Sequence, residues 1–194
     1  MKSLYECANR NSKFLDLFSV NALKKDEHVE VFLRILVMSE IYFGTYNSKT
    51  SGIKYILNEY CENKKNVKID DTAYNNFEKA INFCYSIFNN KPKNMFRRIE
   101  TINGKEEIVG NLNISILEAF IGILSKNEIQ NFEEILTRYK EKMKMVFSLE
   151  TDNDNPFTTS TGTIKSIRER FKICEEIIIG ALKWHVEILI LMID

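Results

Sequence analysis

The stretch from Asp26 to Tyr46 constrains the fold more than any other part of the chain. Its sequence, DEHVEVFLRILVMSEIYFGTY, repeats apolar residues at the three- and four-residue steps of an α-helix: Val29, Phe32, Leu33, Leu36, Val37 and Ile41. A helix of about twenty residues is ~30 Å long, the width of a small domain. Because Met38 extends the contiguous apolar run 36–38, we expect other helices to cover this one on more than one side.

The composition is that of a globular helical protein with balanced charge. The 194 residues are 44% hydrophobic and 28% charged, with only 2 Pro and 7 Gly. Lys plus Arg and Asp plus Glu number 27 each, so the whole chain has no bulk attraction for nucleic acid or an anionic membrane. Any site for a polyanion therefore has to be a local patch.

Cysteine usage and the amino terminus predict a cytoplasmic protein. The chain has 4 cysteines, and none lies close enough to another for a metal-binding knuckle: Cys7, Cys61, Cys84 and Cys174. We interpret them as reduced thiols in or near the core rather than as disulfides or metal ligands. The first residues, MKSLYECANRNSK, contain no apolar segment of a signal peptide.

Hydrophobic periodicity predicts an all-α fold, a multi-helix bundle of about six to seven helices. Residues 3–24 are predicted as one or two short helices. The helices after the central one are predicted at about 53–63, 71–90, 114–124, 126–149 and 164–192. Asn113 and Thr163 are suited to cap two of these helices, and Ser125 with Glu128 has the spacing of a capping box.

One segment breaks the helical pattern and predicts a small β-hairpin insertion near residues 96–109. Asn103-Gly104, the usual pair of a type I′ turn, lies between two strand-like runs. We treat 1–194 as a single helical domain. Its parts are the N-terminal helices (1–90), the hairpin insertion (91–112) and the C-terminal helices (113–194).

The end of the last helix, 177–193, is apolar almost all round. Lys183, His185 and Glu187 interrupt it, so it falls short of a transmembrane span and predicts no membrane association. Such a helix is either enclosed by the bundle or covered by another chain, with a homo-oligomer as one outcome. The interface side chains would be Ile178, Leu182, Trp184, Ile188 and Leu191.

A run of positive residues leads into the predicted hairpin. Lys91, Lys93, Arg97 and Arg98 occur with no acidic residue among them, beside Phe96. Basic side chains next to an aromatic ring can grip phosphate and stack on a base. A solvated hairpin edge that resists aggregation would have the same composition, so both interpretations stay open.

A second basic segment begins the last helix. Lys165, Arg168 and Arg170 follow the hydroxyl-rich residues 158–163, which include Thr161. Free amides at a helix start, together with cations, favour an anion site with these four residues as contacts. The alternative is a capped loop whose arginines pair with nearby acidic residues: Glu150, Asp152 or Asp154.

The sequence contains no constellation with catalytic, cofactor-binding or metal-binding spacing. Its carboxylate pairs are adjacent in sequence: Glu106-Glu107, Glu133-Glu134 and Glu175-Glu176. Neighbouring residues on a helix point about 100° apart, so such pairs do not converge for acid–base chemistry. We therefore expect no enzyme activity and no cofactor.

Three blocks of sequence together carry a family resemblance. The first is Lys25-Asp26-Glu27 through Phe32-Leu33-Arg34, Tyr42 and Tyr46 to Ile56-Leu57-Asn58-Glu59-Tyr60. The second is Met95-Phe96-Arg97-Arg98, the hairpin, and Asn113 with Leu117-Glu118-Ala119-Phe120. The third is Thr161-Gly162-Thr163 followed by Ile167, Arg168, Arg170 and Phe171. Over nearly the whole chain, they resemble the helical region that follows the ParB-like nucleotide-binding domain in GmrSD-type, modification-dependent restriction proteins.

The resemblance implies a partner domain that this chain lacks. Nothing in residues 1–30 is similar to the family's DGQQR-type nucleotide-binding block, and neither His28 nor His185 has the neighbourhood of an HNH nuclease. The implied role is a non-catalytic scaffold of a bacterial anti-phage defence protein, an excised or separately encoded C-terminal piece. Its partner would be a nucleotide-binding domain or another protein chain. The alternative is a nucleic-acid-binding module that contacts DNA through 91–98 and 165–172.

Overall fold

The computed structural model describes residues 2–65, 67–127, 132–148 and 155–191, with side chains described at 3–65, 67–127, 134–147 and 155–180. Within these residues the chain forms nine α-helices, one 3-10 helix (Pro92–Asn94) and one hairpin of β1 (Arg98–Ile102) and β2 (Lys105–Val109). The α-helices are α1 (Lys2–Ala8), α2 (Ser12–Leu15), α3 (Val20–Lys24), α4 (Glu27–Tyr42), α5 (Ile53–Asn63), α6 (Asp71–Ile87), α7 (Ile114–Leu124), α8 (Phe132–Ser148) and α9 (Ile164–Leu191). The predicted fold class is confirmed.

Helices α4 and α7 form the centre of the bundle. Helix α4 packs against α1, α3, α5, α7 and α9, and α7 packs against α4, α6 and α9. The buried apolar residues of α4 cover more than one face, as its broad stripe predicts: Val31, Phe32, Leu33, Ile35, Val37, Met38 and Ile41. Every residue of α7 from Ser115 to Leu124 is buried.

Local capping residues set several helix boundaries. Asn113 Oδ1 accepts from the backbone N–H of Ile116 at 3.1 Å, which confirms the predicted start of α7. Ser125, by contrast, ends α7, and its hydroxyl donates to the carbonyl of Gly122 at 2.9 Å. The helix predicted from residue 126 therefore does not begin there, and Glu128 lies outside the described residues.

The hairpin has the predicted turn. Arg98 pairs with Val109, and Ile102 pairs with Lys105. Both turn residues have positive φ (Asn103 51°, Gly104 76°), as a type I′ turn requires. A two-stranded sheet of this size needs support, and α8 provides it by packing against β1.

Aromatic rings fill two regions of the core. Phe14, Phe32 and Phe77 join α2, α4 and α6, with ring centroids 4.7 Å apart for Phe32 and Phe77. The second group lies beneath the hairpin and consists of Phe88, Phe96, Phe120 and Tyr139. All of these pairs except Phe88–Phe96 are edge-to-face, a geometry that stabilises the core beyond the area it buries.

Candidate functional site

Three charged side chains meet where α4, α7 and α9 contact one another. Glu118 on α7 accepts a hydrogen bond from Arg34 Nε on α4 at 2.7 Å through Oε2. Its other oxygen, Oε1, accepts from Arg170 Nη2 on α9. The side chains of Glu118 and Arg170 are fully buried, whereas that of Arg34 is 15% exposed. One carboxylate therefore bridges arginines from two other helices, and we call Arg34, Glu118 and Arg170 the charged cluster.

The loop before α9 holds Arg170 inside the protein. Arg170 Nη1 donates to the carbonyl oxygen of Thr161 at 2.6 Å. Thr163 caps α9, because its hydroxyl accepts from the backbone N–H of Ser166 at 3.2 Å. Gly162 lets this loop approach the start of α5 closely. A Cβ atom at Gly162 would be 2.8 Å from the backbone nitrogen of Ile53.

The charged cluster has an excess of positive charge. Two guanidinium groups and one carboxylate leave a net charge of +1. Burial lowers the pKa of Arg170 and Glu118 opposes this, but arginine titrates so far above neutral pH that the side chain stays charged. Arg34 is the member of the cluster that reaches the surface, so the excess charge is accessible there.

A second polar contact joins α4 to α9 beside the charged cluster. The Tyr42 hydroxyl donates to Glu175 Oε2 at 2.6 Å, and the Tyr42 ring lies 5.2 Å from the Phe171 ring, centroid to centroid. Burial and the neighbouring Glu175 carboxylate raise the pKa of Tyr42. The phenol therefore stays protonated at neutral pH and keeps its role as a donor.

The first predicted basic site is only partly at the surface. Its exposed cations are Lys91, Lys93 and Arg98. Arg97 is half-buried, and its Nη1 donates to the carbonyl oxygen of Gly110. Phe96 is fully buried. Its ring is therefore not accessible to a nucleic-acid base, which corrects the predicted stacking role.

The second predicted basic site is divided between surface and core. Lys165 and Arg168 are exposed, while Thr161 is half-buried and its carbonyl oxygen is bonded to Arg170. The prediction of Arg170 as a surface anion contact is wrong, because its guanidinium is fully buried and paired with Glu118. The acidic partners considered from the sequence lie outside the described residues: Glu150, Asp152 and Asp154.

The predicted interface on the last helix is described in part. Ile178 is fully buried in the core of this chain, so its prediction as an intermolecular contact is wrong. The backbone of α9 continues to Leu191. The other predicted interface residues lie outside the described side chains: Leu182, Trp184, Ile188 and Leu191.

The adjacent glutamates of α9 diverge, as the helical geometry predicts. Glu175 accepts from Tyr42 on α4, whereas Glu176 accepts from Lys142 on α8 at 2.9 Å.

Within the described residues, no group of three His, Cys, Asp or Glu side chains is arranged to hold a metal ion. The four cysteines are free thiols. In the part of the chain that the structure describes, no helix has both the length and the apolar character that a membrane crossing requires.

The sequence interpretation missed the pairing of Glu118, although a signal for it exists. Glu118 is the single charged residue in the apolar sequence of α7, ISILEAFIGIL. A carboxylate in so apolar a helix has to find a basic partner once it is buried. Its partners are 84 and 52 residues away along the chain, so the sequence does not identify them.

Comparison of the chain with models of protein families, with curated proteins and with solved structures gives no match.

Proposed function

We propose that this chain is an interaction module of a bacterial anti-phage defence system, equivalent to the helical region of GmrSD-type restriction proteins. One observation carries the proposal. Each sequence block behind the resemblance contributes one member of the charged cluster: Arg34 from the first, Glu118 from the second and Arg170 from the third. The residues that carry the resemblance thus include those whose interaction joins three helices, which is expected if the three blocks specify one fold.

The same observation supports a scaffold role. The charged cluster and the contact between Tyr42 and Glu175 tie α4, α7 and α9 together through side chains. A platform fixed in this way can dock a nucleotide-binding domain and transmit its state without itself binding the nucleotide. The proposed setting is cytoplasmic.

Docking is tested by mixing this chain with a ParB-like nucleotide-binding domain of a GmrSD-type protein. We expect a stable complex in sedimentation velocity and a change in the rate of nucleotide hydrolysis by that domain. The absence of a complex at micromolar concentrations of both proteins would contradict the proposal. Sedimentation of the chain alone measures self-association in the same experiment.

The predicted contact segment 177–193 is tested with a double variant, Leu182→Asp and Ile188→Asp. If another chain covers this segment, the variant stays folded by circular dichroism and loses the complex. If the variant unfolds, the bundle encloses the segment and the intermolecular role is contradicted. Tyr55→Asp is the matched control, because Tyr55 on α5 is 65% exposed and its replacement should leave both folding and docking unchanged.

A direct nucleic-acid-binding module is the second candidate. It is favoured by the cations that stay exposed in both basic segments: Lys91, Lys93, Arg98, Lys165 and Arg168. Gel-shift titration with DNA at low salt tests it, since contacts to phosphate weaken steeply as salt rises. Alanine replacement of either group of cations should then weaken binding. No shift at micromolar protein would eliminate this candidate.

A further inference from the structure

A cleft of about 650 Å³ lies between the start of α4, the segment before it, and residues 111–114. We call it the arginine cleft, because Arg34 of the charged cluster and Arg97 both line it. Its apolar wall includes Leu17, Val31, Leu112 and Ile114. The volume falls within the range of sites for small organic ligands, and apolar and polar residues line the cleft in similar measure.

Arg97, a lining residue of this cleft, has an unused hydrogen-bond donor. Its Nε is buried and has no hydrogen-bond partner among the described residues, although Nη1 donates to Gly110. Buried donors are nearly always bonded, and one that is not calls for an explanation. The donor is covered in this structure, so an acceptor in the arginine cleft would satisfy it only after the Arg97 side chain rotates.

A strained backbone places Arg97 at the cleft. The preceding residue, Phe96, has φ of 54°, a left-handed conformation that bulky side chains rarely adopt. The surroundings impose it. The Phe96 ring is buried with its centroid 6.1 Å from those of Phe88 and Phe120, and its carbonyl oxygen accepts from the Asn113 N–H at 2.9 Å. Strain that packing maintains in this way is concentrated at functional sites.

The charge around the cleft favours a ligand with a single negative charge. Arg34 brings the excess positive charge of the charged cluster to this surface, and Arg97 adds a second cation. Glu27 and Glu30 also line the cleft, and their exposed carboxylates oppose the approach of a polyanion. A guanidinium group matches the planar geometry of a carboxylate.

We propose that the arginine cleft binds a small organic carboxylate with an apolar body. The carboxylate contacts Arg34 and Arg97, and the apolar body lies against Leu17 and Val31. This inference does not depend on the proposed docking role, because it concerns residues 17–34 and 97–114 and not the segment 177–193. Docking and carboxylate binding can therefore fail separately.

Hexanoate is the probe, with acetate, inorganic phosphate and 1-hexanol as comparisons. We expect hexanoate to bind saturably with a Kd of about 1 mM or tighter and to shift the Arg97 Nε–H signal in a ¹⁵N–¹H spectrum. Acetate lacks the apolar body, hexanol lacks the charge, and phosphate lacks the apolar body and carries more charge, so each should bind more weakly. Arg97→Ala should weaken hexanoate binding by about tenfold or more.

Two further variants keep the test decisive. Arg98→Ala removes the neighbouring exposed arginine and should leave the Kd within a factor of about two, because Arg98 does not line the cleft. Arg97→Lys keeps the charge but not the Nε donor and should bind hexanoate more weakly than the unaltered chain while remaining folded. Failure of hexanoate to saturate, an equal Kd in Arg97→Ala, or tighter binding of phosphate than of hexanoate would each overturn the proposal.

Discussion

Gly122 on α7 lies directly against Phe171 on α9, so that a Cβ atom at Gly122 would be 2.6 Å from Cε1 of the phenylalanine ring. The same Cβ would be 2.5 Å from Ser39 Oγ on α4. Three helices therefore approach one another at a distance that only glycine permits. Gly122 is one helical turn beyond Glu118, and Phe171 follows Arg170. The close approach thus accompanies the contact between the charged residues of these helices.

Gly122→Ala should destabilise the protein by about 1–3 kcal/mol, the usual cost of overpacking a core. Alanine favours a helix over glycine by about 1 kcal/mol, but the Ser39 and Phe171 side chains are themselves packed between helices and cannot move away easily. The midpoint of urea unfolding measures the loss. Gly180→Ala on α9 is the control, because the atoms nearest to its Cβ belong to the end of the flexible Arg138 side chain. It should be neutral or slightly stabilising, and equal losses in the two variants would contradict this explanation.

Glu118→Ala should cost about 3–5 kcal/mol, because it leaves Arg34 and Arg170 buried or half-buried without their carboxylate. This is a large part of the ~5–15 kcal/mol that stabilises a typical domain. Glu100→Ala removes the partner of Arg98 from an exposed pair with 3.8 Å between the charged atoms and should cost at most about 1 kcal/mol. Urea unfolding compares the two. Similar losses of unfolding free energy in the two variants would show that burial does not determine how much these ion pairs contribute to stability.

The parts of the fold that depend on local signals could be predicted from the sequence. Asn113 caps α7 and Asn103-Gly104 forms the hairpin turn, because each signal acts within three residues of the chain. Residues 3–24 are predicted as one or two short helices, whereas they contain α2, α3 and nearly all of α1. The missed signals were also local: the side chains of Asn11 and Ser19 cap α2 and α3.

The direction of Arg170 could have been predicted, but its partner could not. On α9, Ile167 and Cys174 are buried, and Arg170 lies three residues after the first and four before the second. Helical spacing therefore places Arg170 on the buried face, while Arg168 points to the exposed side. The partner Glu118 comes from a helix 52 residues earlier, and only the packing of the bundle brings the two together.

Gly104→Ala should destabilise the hairpin by about 1 kcal/mol through the backbone alone. The residue has φ of 76°, and a Cβ atom there would meet nothing within 4 Å, so no steric clash adds to the cost. Gly104→Asn should cost less, because asparagine adopts the left-handed region more readily than alanine. The midpoints of urea unfolding rank the variants. A loss for asparagine equal to that for alanine would mean that backbone conformation is not the cause.

His28 is buried on α4 with only one of its ring nitrogens bonded. Its side chain is 2% exposed, and Nε2 is 3.1 Å from Asn9 Oδ1. Nδ1 is buried and has no hydrogen-bond partner among the described residues. The Asn9 side-chain oxygen can only accept a hydrogen bond, so His28 Nε2 carries the proton and donates it. Nδ1 is then unprotonated, and its lone pair has no donor within the described part of the chain. Burial lowers the pKa of His28, and the charge of Asp26 only partly opposes this.

Stability should therefore fall as the pH drops below the ordinary histidine pKa of about 6.5. With the folded-state pKa lowered, the unfolded chain binds the proton first, so the free energy of unfolding decreases between that pH and the lower pKa of the folded state. His28→Gln keeps a donor for Asn9 but cannot be protonated, and should remove this part of the pH dependence. Urea unfolding of the unaltered protein and of His28→Gln at a series of pH values between 7 and 5 compares the pH dependence of their stability. The carboxylates contribute equally to this dependence in the two proteins, so the difference between the curves reports on His28. Parallel curves would show that His28 is protonated as easily in the folded protein as in the unfolded chain.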